Sequence, residues 1–252
     1  AVAELTIAHM LNSLRHISTT DANMRSGSWT PTMGSLLATK TVGLIGLGRI
    51  GGAVAKLAPE VSCSSDQGCC GALHAHNGEL DKGKEMAKAL GEKLPGTILT
   101  TAGGCAAHLA SVIGDERVQE FSQWWVKRDI KLSPIIKNGK AIRVGLQDSC
   151  HLRNGMGVFA QPREILKQLG EYLEIPGAAD CCGAAGSYAL LQQKNSRLVI
   201  APKIAEIKAL NLDYIATVNP GCTRQLVTEL RRARVKTKVI HLAELVAISQ
   251  NK

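Results

Sequence analysis

Seven of the eight cysteines in this 252-residue chain fall into one repeated pattern. Two Cys-Cys-Gly tripeptides, Cys69-Cys70-Gly71 and Cys181-Cys182-Gly183, stand a little over a hundred residues apart. Each is followed 35 to 40 positions later by a single cysteine closing an apolar run: Cys105 in ILTTAGGC and Cys222 in YIATVNPGC. The second set also has a cysteine ahead of it, Cys150 in VGLQDSC. Adjacent cysteines seldom bond to each other, because the eight-membered ring strains the peptide. Two neighbouring thiolates can instead hold two irons of one cluster, so the spacing predicts iron–sulfur chemistry. Cys150, Cys181, Cys182 and Cys222 supply four thiolates, enough for a [4Fe–4S] unit. Cys69, Cys70 and Cys105 supply three, and Cys63, only six positions ahead of Cys69, is a poor substitute for the missing leader. Buried inert thiols are the alternative reading.

A second motif is the glycine-rich turn Gly46-x-Gly48-x-x-Gly51. It follows an apolar strand pattern at 41–46 and opens a short helix at 52–57, the context of a dinucleotide fingerprint. Glycines there let backbone amides approach a pyrophosphate at the helix N-terminus. The helix is cut short by Pro59, and Asp66 lies in a Ser/Cys/Gly loop rather than at the strand end where a ribose-binding acid belongs. A degenerate turn that binds nothing is therefore the competing account.

The elements that must position these residues alternate. Helical spacing covers residues 1–25, and 26–39 is a Gly/Ser/Thr/Pro loop. Helices are expected at 81–92, from 105 to 113, at 115–131, 162–169, 188–210 (broken near Pro202), 221–233 and 242–249. Strands are expected at 97–101, 140–146, 214–218 and 238–240. The order Cys-Cys-Gly, helix, strand, cysteine, helix occurs twice, which predicts an internal duplication with halves of about 61–139 and 140–252. The fold class is α/β: a duplicated Cys-Cys-Gly domain with parallel sheet content, preceded by a helix and a truncated Rossmann-like βα fragment. Cys105, Cys150 and Cys222 then fall at the carboxyl ends of strands, where ligands of open α/β sheets collect.

Composition narrows the function. The formal charge of +9 invites a nucleic-acid reading, but aromatics are only 3% and the basic residues are dispersed. A solvated face, or docking to an acidic partner subunit, is the expectation, with no nucleic acid. No apolar run approaches the roughly 20 residues of a membrane span. Eight cysteines without an export signal favour metal or redox use in the cytoplasm. The chain begins at Ala1, which fits a processed product or an internal piece of a longer protein.

Two resemblances follow from these motifs. Residues 1–58, through AELTIAHMLNSLRHI and RSGSWTPTMGSLLATKTVGLIGLGRIGGAVAKLA, resemble the NAD-binding region of D-isomer-specific 2-hydroxyacid dehydrogenases. That resemblance implies NAD contacts at Gly46, Gly48, Arg49, Ile50 and Gly51, and no catalytic residue. Residues 61–252, through QGCCGALHAHNG, LQDSCHLRNG, QPREIL, CCGAAGSYALLQ and VNPGC, resemble the Cys-Cys-Gly domain of glycolate oxidase iron–sulfur subunits, lactate-utilisation proteins and heterodisulfide reductases. That resemblance implies an electron carrier working beside a flavin-containing oxidase subunit, rather than a complete catalyst. Cys150, Cys181, Cys182 and Cys222 match its ligand pattern; a further cysteine found in some members is replaced by Gln225. The ferredoxin-type segment of the oxidase subunits has no counterpart here. The chain thus looks like the head of one redox protein joined near residues 58–62 to the tail of another. The remaining readings are an NAD-binding dehydrogenase fragment or a non-functional fusion.

The histidines carry weaker signals. His151 follows Cys150 and is placed either to hydrogen-bond a sulfur or to cap the next helix. His74 and His76 suit a turn or short strand, with metal ligation the lesser alternative. His241 opens the last helix as a structural residue, and Trp124-Trp125 are expected in the core or at a subunit contact.

Overall fold

The computed structural model describes residues 17–27, 57, 67–94 and 96–250. The chain divides into two units, Ala1–Gly46 and Leu47–Lys252. In the first, Ile17–Arg25 forms helix α1, with Arg25 paired to Asp21 one turn earlier at 2.9 Å. The expected strand at 41–46 and the glycine-rich turn lie outside the described residues. Of the short helix expected at 52–57, Leu57 is described and is helical.

Both Cys-Cys-Gly halves belong to the second unit. The first half runs α2 (Ala72–His76), α3 (Leu80–Lys93), β1 (Ile98–Thr100), α4 (Gly103–Ile113), β2 (Val118–Glu120) and α5 (Phe121–Lys127). Helix α3 buries Gly83, Ala87, Leu90 and Gly91, spaced one and two turns apart, and leaves Lys82, Lys84, Glu85 and Lys88 in water. Strands β1 and β2 pair in parallel, with Ile98 opposite Val118 and Thr100 opposite Glu120.

The second half begins with a hairpin, β3 (Ile136–Lys137) and β4 (Lys140–Ala141). It continues as β5 (Arg143–Gln147), α6 (Cys150–Met156), α7 (Ala160–Leu169), β6 (Glu171–Tyr172), α8 (Tyr188–Leu191), α9 (Gln193–Leu210), β7 (Tyr214–Thr217), α10 (Pro220–Arg232), β8 (Lys238–His241) and α11 (Leu242–Gln250). A parallel sheet of order β6-β5-β7-β8 forms, with Gln147 opposite Thr217 and Thr217 opposite His241. Strands β5 and β7 are buried along nearly their whole length, as parallel strands covered on both faces must be. Leu166 and Leu169 of α7 pack with Leu242 and Val246 of α11 in one core cluster. Ile200 and Ile207 of α9 pack with Leu226 and Leu230 of α10 in another. The expected α/β class and the duplication both hold.

Four local expectations need correction. Residues 115–131 are not one helix: a 3-10 turn at Asp115–Arg117 leads into β2, and only Phe121–Lys127 is α-helical. Parallel pairing with β1 claims 118–120, and the Glu120 side chain caps α5 by accepting from the Ser122 N–H. Residues 188–210 break at Gln192, not at Pro202, which lies inside α9. The carbonyl that Pro202 leaves without its helical donor belongs to Leu198, an exposed residue. His74 and His76 sit in a helix rather than a strand or turn, because Gly71 starts α2 from the left-handed region at φ 79°. Residues 140–146 divide between β4 and β5, since Asn138-Gly139, both at positive φ, form a tight hairpin turn.

Glu120 has a cost built in. It is fully buried, and its Oε1 has no hydrogen-bond partner. Burial pushes its carboxyl up to about 7, against the bonds from Ser122 that pull the other way. Because the folded value is raised, the contribution of Glu120 to stability is intact below about pH 4.5 and is lost as pH rises through about 7. Relative to the parent, Glu120→Gln should become more stable by on the order of 2–3 kcal/mol between about pH 5 and pH 8. Urea denaturation of both proteins at the two pH values measures this, and a pH-independent difference refutes it.

Candidate metal centre

Each Cys-Cys-Gly turn is shaped by its glycine. Gly71 and Gly183 adopt φ 79° and 76°. A Cβ on Gly71 would lie 2.4 Å from the Gly83 carbonyl oxygen of α3, and one on Gly183 would lie 2.6 Å from the Ser196 carbonyl oxygen of α9. So the turn rests directly on the backbone of α3 in the first half and of α9 in the second. The glycine N–H groups point back at sulfur: Gly71 donates to Cys69 Sγ at 3.5 Å and Gly183 to Cys181 Sγ at 3.3 Å. In the second half the turn is buttressed further. Ser196 Oγ donates to the Gly183 carbonyl, and Gln225 Nε2 donates to Ser196 Oγ, both at 2.8 Å. The buried Gln225 thus braces the turn through Ser196.

The trailing cysteines arrive from the opposite side. Cys105 lies in the first turn of α4 and Cys222 in that of α10, each just past a strand. Cys70 Sγ is 2.9 Å from Cys105 Sγ, and Cys182 Sγ is 2.9 Å from Cys222 Sγ. All seven described cysteines are free thiols. Cys70, Cys182 and Cys222 are buried, while Cys69 and Cys181 are exposed, so each set opens to solvent on one side.

The electrostatics repeat as well. Cys105 is held below its ordinary value by the hydrogen bond from Cys70, and Cys222 by the bond from Cys182. The donor Cys70 is pushed up to about 12, first by that bond. Cys182 also rises to about 12: its bond with Cys181 lowers it, but the bond to Cys222 and burial outweigh that. Burial raises Cys150, with the nearby Cys181 adding to the effect, and Cys150 and Cys181 both act on Cys222. The four second-half sulfurs therefore feel one another, and Cys69 acts on Cys105 in the first half. Protons shared within such sets leave when a metal binds.

Cys150 is placed by the end of β5. Ser149 caps α6 by accepting the Leu152 N–H, and the buried Asp148 is held by Arg153 and Arg163 at 2.8 Å. His151 does not cap the helix; its Nδ1 lies 3.6 Å from Cys150 Sγ, and its ring stacks on His76 at 4.3 Å. His76 and His151 are both lowered by burial. Among the described residues, no group of three His, Cys, Asp or Glu side chains is placed to hold a single metal ion. His74 instead contacts Glu79. His241 ends β8, its Nε2 on the Thr101 carbonyl at 2.7 Å and its Nδ1 accepting from Ala243 N–H. Trp125 is in the core, and Trp124 packs against it and under Arg128. Gly46, Gly48, Arg49, Ile50, Gly51 and Cys63 lie outside the described residues.

The motif reading missed three residues at the second set. Asn219 Nδ2 donates to Cys222 Sγ at 3.7 Å while its Oδ1 accepts the Gly104 N–H at 3.1 Å. Gln147 Nε2 donates to the carbonyls of Asp148, Ala178 and Asp180. Lys203, 3% exposed, donates to Gln147 Oε1 and the Asp180 carbonyl, both at 2.5 Å. Burial lowers the Lys203 ammonium, and Cys182, Asp180, Cys222 and Cys181 pull it back up. Its signal was legible: a lysine stands where the spacing of Ser196, Ile200 and Ile207 calls for a buried residue.

Two stretches, residues 52–110 and 144–227, match the model of the cysteine-rich domain family, and together they make up more than half of the chain. The chain belongs to the cysteine-rich domain family. Its two repeats correspond to the two sulfur sets. A second model, the NAD binding domain of D-isomer specific 2-hydroxyacid dehydrogenases, matches residues 7–65. The chain is 35% identical over 204 residues to a probable glycolate oxidase iron–sulfur subunit of Bacillus subtilis (strain 168), covering 72% of this chain and 46% of that protein. It is 30% identical over 198 residues to a fumarate reductase (CoM/CoB) subunit of Methanothermobacter marburgensis, covering 74% and 40%. It is 26% identical over 212 residues to lactate utilization protein A 1 of Bacillus anthracis (strain CDC 684 / NRRL 3495), covering 77% and 87%. The chain thus spans less than half the length of the first two of these cysteine-rich relatives.

Gly183→Ala should cost about 2 kcal/mol or more, since it adds left-handed strain to a backbone collision. Gly68→Ala, with nothing within 4 Å of the new Cβ, should stay within about 0.5 kcal/mol of the parent. Urea midpoints of the two variants test this; equal midpoints would mean the turn does not rest on α9.

Proposed function

We propose that this chain is an iron–sulfur electron-transfer subunit that works beside a flavin-containing oxidase subunit in glycolate or lactate oxidation. Cys150, Cys181, Cys182 and Cys222 hold the cluster, of [4Fe–4S] type, and Cys69, Cys70 and Cys105 form a second, incomplete set. The observation that carries this is the approach of Cys182 and Cys222 sulfurs to 2.9 Å within a group of four free thiols drawn from three separate stretches of the chain. The donor set fits such a group: soft sulfur ligands, none tied up in a disulfide, with a backbone N–H and the Asn219 amide aimed at sulfur. A cluster bound there supplies one-electron redox chemistry. The chain's own residues bind it, keep water from its buried side and donate hydrogen bonds to its ligands. The names of the relatives, a glycolate oxidase iron–sulfur subunit and a lactate utilization protein, support the reading. On this account the chain alone turns over no substrate. Seven free thiols suit a reducing compartment such as the cytoplasm. Among the described residues no helix is long and apolar enough to cross a membrane. The domain bounds, a dehydrogenase-like piece over 1–58 and the cysteine-rich piece over 61–252, form part of this proposal.

The match over residues 7–65 favours a second reading, NAD contact at Gly46, Gly48, Arg49, Ile50 and Gly51. Calorimetric titration with NADH decides it: heat that disappears in Gly48→Val supports the contact.

Anaerobic reconstitution with iron and sulfide should yield a brown protein with iron and acid-labile sulfide in equal amounts. Cys181→Ser combined with Cys182→Ser should lose most of that iron. Full iron content in the double variant would remove the second-half assignment.

A further inference from the structure

The duplication contains its own control. Gly83 of α3 and Ser196 of α9 each meet the glycine of their Cys-Cys-Gly turn. Two helical turns further on, and so on the same face, the first half has Leu90 and the second has Lys203. Both are buried, at 7% and 3% exposure. Leu90 simply joins the apolar core. A buried ammonium in the equivalent place is costly unless it is hydrogen-bonded and its charge is answered.

The hydrogen bonds come from neutral acceptors, the Gln147 carboxamide oxygen and the Asp180 carbonyl. Two acceptors converging on Nζ call for a donor, which an ammonium is. The groups whose negative charge would answer it are Cys182 first, then Asp180, Cys222 and Cys181, and the three thiols become thiolates when a metal is bound. Three of those four are proposed ligands. Lys203 also sits at a structural junction. Gln147 ends β5, two residues before the α6 cap and three before Cys150, and Asp180 precedes Cys181. The ammonium therefore lies beneath both ligand-bearing segments, while the first half has neither the leading cysteine nor the charge.

Resting on the cluster reading above, we propose that Lys203 is a positioning residue whose buried positive charge offsets that of the second-half thiolates and raises the reduction potential of the group they hold. Reduction adds one negative charge to that group, so a fixed cation favours the reduced state more than the oxidised one. The first half, with Leu90, lacks this device.

The experiment is an anaerobic titration of the reconstituted full chain, with dithionite supplying the electron, followed by absorbance and electron paramagnetic resonance. Parent, Lys203→Met, Lys203→Gln and Lys203→Arg are compared, with iron per chain measured for each. At the parent's midpoint, the ratio of reduced to oxidised protein should fall tenfold or more in both neutral variants, a shift of about 59 mV for one electron. Lys203→Gln keeps a donor but no charge, so it separates electrostatics from hydrogen bonding. Lys203→Arg should recover most of the parent value. Neutral variants that take up no iron while Lys203→Arg does would also support the charge. An unchanged midpoint at parental iron content, or an arginine variant as impaired as the neutral ones, overturns the proposal. A parent that itself takes up no iron fails the cluster reading instead.

Discussion

The close seating of each Cys-Cys-Gly turn on a longer helix beyond it, α3 or α9, is the contact from which the rest of the site follows. Only a residue without a Cβ can bring its backbone that near to the carbonyl of Gly83 or Ser196 while occupying the left-handed region. Once seated, the turn has little freedom. Its second cysteine is directed inward to the sulfur at the strand–helix junction, and its first is left outward with a backbone N–H on its sulfur. Two turns of similar sequence thereby produce the same pairs, Cys70 with Cys105 and Cys182 with Cys222.

The two halves do not behave as separate modules. Gly103 N–H donates to the Val218 carbonyl at 2.8 Å, and Asn219 reaches from the sulfur of Cys222 to the amide of Gly104. His241, at the end of β8, bonds to Thr101 in the other half. The stacked imidazoles of His76 and His151 come from the residues that follow each half's leading motif. These links run between the strand ends that carry the cysteines. Buried polar contacts of this kind are expensive to break, because each lost partner strands a group away from water.

Similar frames hold different chemistry. Where the second half has Cys150, Asn219 and Lys203, the first has no leading cysteine, Ala102 and Leu90. The second set is thus richer in thiols, in donors to sulfur and in compensating charge. Hydrogen bonds and local charge are the means by which a protein sets the properties of a thiolate-bound metal group, and here they are concentrated on one side of the duplication.

Much of this was already written in the residue order. Repeated cysteine spacing, the alternation of apolar runs with helical patterns, and glycine after each cysteine pair were enough to anticipate the class and the duplication. Those features are local or periodic, so a one-dimensional reading can find them. Strand β2 and the unbroken passage of α9 through Pro202 were not legible. Each depends on a distant pairing or on which face meets water. The same holds for Gln147 and Gln225, whose roles arise only when segments far apart in the chain close over one another; helical spacing places Lys203 on the buried face of α9, and only the fold supplies its partners. Sequence determined which atoms could bind a metal; tertiary structure decided which of them meet, because sulfur-to-sulfur distance is set by how the turns pack on helices rather than by their order along the chain.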